Sequence, residues 1–459
     1  MLDFHLDLDP ARGRQAALEE GVRRAIATGR LTAGTRLPST RALAKELECA
    51  RATVVAAYEQ LVAEGFLTAE RGAGTRVAGV QPLAAPPAAD LPPPSTYLAD
   101  FRPGEPDNSS FPRGQWLTSV RRVLSVGPDD MFGYGDPRGA RELRVALASY
   151  LGRARAVAAD PARIVIFGGF ANALTVLADT FRHLGIVDVA VEDPALPFHP
   201  RFLRRAGLSV RPVPVDDLGM RVAALAGTSA RAVLTTPAHQ YPLGVALAPS
   251  RRSALVGWAR ESDGWIIEDD YDGEFRYDRQ PVGALQSLDP ERVIYGGTAS
   301  KSLGAGLHIA WLVVPDVLLE PLVETARWRV GVSAVEQCTL AEFITTGRLD
   351  RHVRQMRSTY RRRRDALATT LHRLAPWMSL QGISAGLHGT VALASTSSER
   401  EILTLAEQRS VGMHPLSAHF ADGRSEGLVL GYSRPAGHAF PGALARLERF
   451  LAELPPQSG

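Results

Sequence analysis

Residues 293–308, VIYGGTASKSLGAGLH, decide the reading of this 459-residue chain, because they set a lysine in a Gly/Ser/Thr-rich loop directly after an apolar run. Lysine is scarce here: of 52 basic residues 50 are Arg, and the two lysines are Lys45 and Lys301. A guanidinium stays protonated and is no nucleophile, so a lysine kept in such a composition marks a place where an amine is chemically useful. An isolated loop lysine is ordinarily a solvated charge, but the neighbours argue otherwise. Thr298 and Ser300 place hydroxyls three residues and one residue before the amine, suited to a phosphate. The small residues leave room for a bulky ligand against the backbone.

Upstream, residues 265–277, WIIEDDYDGEFRY, form an apolar strand that ends in acids, with Tyr271 two residues after Asp269. Acids at such a strand end usually face solvent. A buried carboxylate at Asp269 would instead pair with a protonated pyridine nitrogen, and the Tyr271 phenol with an oxygen on the same ring. Residues 163–179, RIVIFGGFANALTVLAD, read as strand, Gly-Gly turn and helix, and the free N–H groups around Gly169, Phe170 and Ala171 make an anion site. Apolar runs at 164–167, 187–191, 232–234, 265–267, 293–295 and 309–314 alternate with helical segments, which predicts a mainly parallel sheet covered on both faces. Residues 341–371 read as long helices leading to a smaller C-terminal α+β lobe.

The N-terminal part has a different pattern. Leu18, Val22 and Ile26 share one helix face, Ser39 can cap a second helix carrying Leu43 and Leu47, and Val54, Val55, Tyr58, Leu61 and Val62 mark a third. Residues 65–68 and 74–77 read as two strands around Arg71, Gly72 and Ala73, so residues 1–78 make a winged helix-turn-helix. Arg51 and Thr53 lie at the front of the third helix, where a recognition helix meets base edges, while Arg41, Arg71 and Arg76 are placed for phosphates or a groove. The same residues hold 11 Lys/Arg against 10 Asp/Glu, so DNA affinity would come from pairing two such domains. Residues 79–99, rich in Ala and Pro, read as a semi-extended linker, which leaves 100–459 as the large domain.

The segment LPSTRALAKELECARATVVAAYEQLVAEGFLTAERGAGTRVA, residues 37–78, resembles the GntR-type winged helix nearly throughout. That resemblance implies DNA contacts from Arg41, Arg51, Thr53 and Gly72. In order and spacing, the three pieces of the large domain resemble the fold-type I aminotransferases. FGYGDPRGARELRVALASYL (132–151) and TTPAHQYPLGVAL (235–247) narrow the resemblance to the MocR family of bacterial regulators, in which a GntR-type domain is fused to an aminotransferase-like domain. It covers essentially the whole chain.

The resemblance implies an α/β PLP-dependent transferase fold with a small C-terminal lobe, and pyridoxal 5′-phosphate (PLP) as cofactor. By the same resemblance Lys301 is the Schiff-base lysine, Asp269 the partner of the pyridine nitrogen, and Tyr271 and Tyr241 neighbours of the ring oxygen. Thr298, Ser300 and the turn at Gly169, Phe170 and Ala171 hold the phosphate, and Tyr134 enters from the other subunit. The expected molecule is a homodimer that binds paired promoter half-sites in double-stranded DNA and senses PLP or a PLP–amine adduct.

Several positions depart from the family pattern. His308 stands where an Arg commonly meets the phosphate, and a histidine is only partly charged at neutral pH. Leu196 replaces an aromatic that stacks on the ring, Ala171 a Gln, and Ala50 a Ser that caps the recognition helix. In GLVLGYSRPAG (427–437) Val429 falls where aminotransferases place the Arg that grips a substrate carboxylate, with Arg434 nearby. These departures favour a sensor. The alternatives are an active aminotransferase with an appended DNA-binding domain, and a regulator whose large domain only dimerises.

Composition agrees with a folded protein: 45% hydrophobic and 22% charged residues, and no apolar run of the roughly 18 residues a membrane span needs. The acidic start, MLDFHLDLDP, lacks a signal-peptide pattern, and Cys49 and Cys338 are too few for a disulfide framework and lack metal-ligand spacing. A cytoplasmic protein with reduced thiols and no metal site is expected.

Overall fold

The structure is a computed structural model that describes residues 13–70, 74–79, 97–277, 282–327, 331–393, 398–423 and 426–454. Its chain forms two compact units, Met1–Pro94 and Ser95–Gly459. Arg71 and Gly72 of the expected wing tip, and residues 80–96 of the expected linker, lie outside the described residues.

In the first unit, helices α1 (Arg14–Ala27), α2 (Thr40–Glu46) and α3 (Arg51–Ala63) are followed by the antiparallel strands β1 (Leu67–Glu70) and β2 (Gly74–Val77). Leu18, Val22, Leu43, Val54, Tyr58 and Leu61 close one core, and the Tyr58 hydroxyl donates to the Pro38 carbonyl at 3.1 Å. Ser39 caps α2 by accepting from the Ala42 amide at 3.2 Å. Ala50 has the extended backbone of a cap but no side chain to serve as one. The first strand starts at Leu67 rather than at Gly65, because the Gly65 and Phe66 amides turn back to the Val62 and Leu61 carbonyls and finish the helix.

The second unit opens with β3 (Ala99–Asp100), α4 (Arg113–Val126) and α5 (Arg141–Arg155). Ala99, given to the linker by composition, is buried and pairs in parallel with Val411 in β14 (Val411–Gly412). A two-residue strand leaves no periodic signal, so only the tertiary pairing reveals it. Next come β4 (Ile164–Phe167), α6 (Phe170–His183), β5 (Asp188–Asp193), α7 (Phe198–Arg205), β6 (Ser209–Asp216), β7 (Gly219–Met220), β8 (Ala232–Thr235), α8 (Pro249–Glu261), β9 (Trp265–Asp269), β10 (Val293–Thr298) and β11 (Ala310–Val313).

These strands form one eight-stranded sheet in the order β4-β11-β10-β9-β8-β5-β6-β7, parallel from β10 through β6, with β11 and β7 antiparallel to their neighbours. Side-chain alternation sends Val165 and Phe167 to the core under α6 and α7, and Ile164 and Ile166 to the core under α5 and α10 (Ala334–Thr345). Helix α9 (Asp316–Ala326) joins the first of these cores.

After the 27-residue α11 (Arg348–Leu374), a smaller lobe builds an antiparallel sheet from β12 (Leu380–Gln381), β13 (His388–Ala392), β16 (Gly427–Gly431) and β15 (His414–Pro415). It is packed with α12 (Glu399–Gln408) and α13 (Phe440–Glu453). Among the described residues no helix is long and apolar enough to cross a membrane.

One buried ion pair fixes the segment after β9. Arg155 at the end of α5 donates from Nε to Asp270 Oδ2 at 2.6 Å and from Nη2 to Oδ1 at 3.0 Å, with both side chains 1% exposed. Its Nη1 reaches the Gly273 carbonyl at 3.0 Å, and the Tyr295 hydroxyl donates to Asp270 Oδ2 at 2.7 Å. Removing one partner strands the other charge in the interior. Arg155→Leu is expected to destabilise the second unit by about 3–5 kcal/mol, checked by equilibrium denaturation of the full chain.

Candidate functional site

Strands β4, β9 and β10 run the same way, so their C-terminal ends meet at one side of the sheet, where α/β folds place ligands. There they border a cavity of about 860 Å³. Lys301, three residues beyond β10, lies in its wall, half-buried, and its ammonium donates to the Gly104 carbonyl. Burial lowers the pKa of this amine, opposed by the carboxylates of Asp269, Asp272 and Glu105. A lowered amine pKa leaves more of the nucleophilic form at neutral pH.

Asp269 ends β9 and is buried. Burial holds its carboxyl well above the usual range; Lys301 pulls it back, and Asp270, Asp272 and Glu192 push it further up. Its neighbour His199 stands 3.6 Å away through Nε2, but burial, then Lys301, lower that imidazole to about 4, so it brings no charge. A buried carboxylate without a direct cationic partner fits a protonated ring nitrogen, and the PLP ring has one.

Beside it, the Tyr271 hydroxyl lies 3.2 Å from His239 Nδ1 and donates to the His239 carbonyl at 3.1 Å. His239 Nδ1 also meets Asp272 Oδ2 at 2.9 Å. The Tyr241 hydroxyl contacts His419 Nε2 at 3.1 Å, and burial raises both phenol pKa values.

The opposite end suits an anion. Gly169 precedes α6 with φ +99 and ψ 158, a conformation that only glycine adopts freely, and it lines the cavity together with Phe170 and Ala171 at the start of the helix, where backbone amides suit an anion. His308 Nδ1 lies 3.9 Å from where a Cβ at Gly169 would sit. The Thr298 hydroxyl lies 3.0 Å from Ser300 Oγ and donates to the Ile309 carbonyl at 3.1 Å. A phosphate and a cationic ring at the two ends are the two demands PLP makes, and the residues present fit it.

The cavity wall gathers ten of the sequence-derived positions: Lys301, Asp269, Tyr271, Tyr241, Thr298, Ser300, His308, Gly169, Phe170 and Ala171. Tyr134 does not reach the cavity of its own chain and is fully exposed. Leu196 is in the wall; Val429 is buried within β16, away from it. Arg434 is held by Asp100 at 2.9 Å and Glu105 at 3.2 Å. In the first unit Arg41, Arg51 and Arg76 are exposed and Thr53 is half-buried, with Arg51 Nε 3.4 Å from Thr40 Oγ1.

Sequence reasoning missed Glu192, His199, His388, His414 and His419, which also line the cavity, and the buried pair of His239 and Asp272 behind Tyr271. His239 stood inside a quoted motif; the other histidines are scattered singly and carry no spacing signal.

Residues 14–77 match the family described as bacterial regulatory proteins, gntR family, and residues 112–411 match aminotransferase class I and II. The probable rhizopine catabolism regulatory protein MocR of Rhizobium meliloti is 33% identical over 460 residues, covering 94% of this chain and 92% of that protein. The HTH-type pyridoxine biosynthesis transcriptional regulator PdxR of Corynebacterium glutamicum is 33% identical over 425 residues, covering 90% and 91%. An archaeal alanine:glyoxylate aminotransferase superposes with a TM-score of 0.71 at 26% identity, over 77% of this chain and 91% of its own. Fold and site thus define a GntR winged helix joined to a fold-type I aminotransferase-like domain. The chain belongs to the MocR family of transcriptional regulators.

Proposed function

We propose that this regulator holds PLP in its large unit as a sensor ligand and acts in the cytoplasm as a homodimer that reads paired half-sites in double-stranded DNA. When bound, the cofactor supplies an aldehyde that an amine can hold covalently and a ring that withdraws electrons. Lys301 provides the amine, with its proton affinity reduced by burial. Asp269 keeps a proton on the ring nitrogen, and Tyr271 and Tyr241 orient the ring through its oxygen. Thr298, Ser300, His308 and the α6 amides at Gly169, Phe170 and Ala171 bind the phosphate. The observation that carries this reading is the placing, in one cavity, of a lysine whose amine burial makes less basic and a buried carboxylate that no arginine reaches among the described residues.

Dimerisation is supported by apolar side chains that a monomer leaves in water: Leu117, Leu124 and Val126 on α4, then Phe132 and Tyr134. A second copy would cover them and bring Tyr134 to its neighbour's cavity. Ligand occupancy controls DNA binding only if the two arrangements of the dimer bind the ligand unequally.

A second reading, an active aminotransferase, draws on the complete set of Lys301, Asp269 and Tyr271. Against it, no arginine lines the cavity among the described residues. Many turnovers per subunit with an amino donor and a keto acid would favour the enzyme.

Incubation with PLP is expected to give a visible absorbance band and, after borohydride reduction, a mass increase on the peptide carrying Lys301; Lys301→Ala loses both. A colourless wild-type protein overturns the reading. His308→Arg adds a fixed charge at the phosphate and is expected to tighten cofactor binding about tenfold in equilibrium dialysis, a gain of about 1.4 kcal/mol. Arg51→Ala is expected to weaken binding to its own promoter region by about tenfold in fluorescence anisotropy, an effect of about 1–3 kcal/mol if Arg51 reads a base.

A further inference from the structure

Two residues stand behind Tyr271 without lining the cavity: His239 in the loop after β8, and Asp272 three residues past β9. Their side chains are 3% and 1% exposed, so water does not compete for their hydrogen bonds. Gly386, just before β13, helps to seal them. A Cβ there would lie 2.2 Å from His239 Cε1 and 2.5 Å from Asp272 Oδ2, so only a glycine lets the chain pass over the pair.

The contacts place the hydrogens. His239 Nδ1 lies 2.9 Å from Asp272 Oδ2, and a carboxylate accepts, so Nδ1 carries the hydrogen. Tyr271 Oη lies 3.2 Å from the same Nδ1 and 3.1 Å from the His239 carbonyl. A carbonyl can only accept, so the phenol donates to it and turns a lone pair to the Nδ1–H. One residue thus holds the phenol oxygen from two sides, by its carbonyl and by its imidazole. Burial, then the Asp272 carboxylate, push the phenol well above its usual pKa, so it stays a donor.

The other tautomer would undo this arrangement. With the hydrogen on Nε2, Nδ1 would be an acceptor 3.2 Å from the phenol oxygen and would capture its hydrogen bond. Asp272 opposes that tautomer, because two acceptors would then face each other at 2.9 Å in a place closed to water.

We propose that Asp272 and His239 are positioning residues for Tyr271: by keeping the imidazole hydrogen on Nδ1 they leave the phenol hydrogen free to turn toward the ring oxygen of PLP. The proposal rests on the reading of the cavity as a cofactor site and adds to it two residues that act through Tyr271 without touching the ligand. Turning the hydrogen from the His239 carbonyl to the ligand needs a rotation about the C–O bond and no movement of the phenol oxygen, which the Nδ1–H continues to hold. A donor placed in advance in this way costs little to reorganise. The His239 carbonyl gives up its partner in exchange, so the gain is that of one ordinary hydrogen bond. A buried carboxylate that fixes the tautomer of a histidine is a recurrent device in sites that depend on one oriented group.

The test compares the full-length wild type, loaded with PLP, with Tyr271→Phe, Asp272→Ala and His239→Phe. The last keeps the carbonyl and the bulk of the ring and removes Nδ1. The readouts are cofactor affinity by equilibrium dialysis and the position of the cofactor absorbance band, with folding checked by thermal melting. Asp272→Ala and His239→Phe are each expected to weaken PLP binding about fivefold, roughly 1 kcal/mol, and to move the band in the direction in which Tyr271→Phe moves it. Added to Tyr271→Phe, either one is expected to change the affinity by less than about twofold and to leave the band unmoved, since residues acting through one group are not additive. Additive losses, a further band shift in the Tyr271→Phe background, or single variants that match the wild type overturn the proposal. A wild-type protein that gives no cofactor band overturns the cofactor reading instead.

Should the variants of these buried residues not fold, the wild type decides the matter without them. In a neutron structure of the PLP-loaded wild type, deuterium is expected on His239 Nδ1, with the Tyr271 deuteroxyl directed at the ring oxygen of the cofactor. A bare Nδ1, or a Tyr271 hydroxyl that donates to His239, overturns the proposal.

Discussion

The ion pair of Arg155 and Asp270 is the constraint on which the site depends. Asp270 sits between Asp269 and Tyr271, the two residues that line the cavity, and its carboxylate is tied away from the cavity by Arg155 and the Tyr295 hydroxyl. Its amide donates to the Gly296 carbonyl at 2.9 Å and continues the pairing with β10 beyond the strand. With side chain and backbone both fixed, the residues on either side have little freedom. Desolvating two charges costs several kcal/mol per ion, and only dense hydrogen bonding offsets it. Gly273 makes the packing possible, since a Cβ there would lie 2.1 Å from Asp270 Oδ1 and 2.5 Å from Arg155 Nη2.

The pair also organises the surrounding acids. Glu268 turns the other way and accepts from the Leu285 and Gln286 amides at 2.7 and 2.9 Å. Burial, with Asp270 nearby, raises Glu268 and Glu274 to about 7. Among the described residues Asp269 meets neither an arginine nor a backbone donor, and it lines the cavity. A ligand that brings a positive charge relieves a penalty the folded chain already carries, so binding and stability are linked through this carboxylate.

Much of the fold was legible because parallel strands buried on both faces read as unbroken apolar runs, as at 164–167 and 293–295. Strand β6 was not, since SVRPVPVD near the sheet edge mixes polar residues and prolines and buries little. Lys301, Asp269, Tyr271 and the Gly169 turn were legible because each belongs to a compact local pattern of strand end and loop. The histidines were not. His199, His388 and His419 come from α7, β13 and the turn after β15, and only the tertiary fold brings them to one wall. The same holds for Arg155, one arginine among fifty, whose role follows from where α5 ends.

Among the described residues no arginine lines the cavity, and this bears on how firmly a carboxylate could be held there. In β16 the Val429 side chain is buried, and its backbone lies opposite Thr390 on one side and His414 on the other. A fixed guanidinium there would hold a substrate carboxylate and so orient the rest of the substrate for proton removal, a gain that depends on near-attack geometry. Hydrogen bonds to uncharged imidazoles are weaker and less demanding of orientation than a bidentate ion pair. They leave a bound carboxylate without the bidentate clamp that a guanidinium would give.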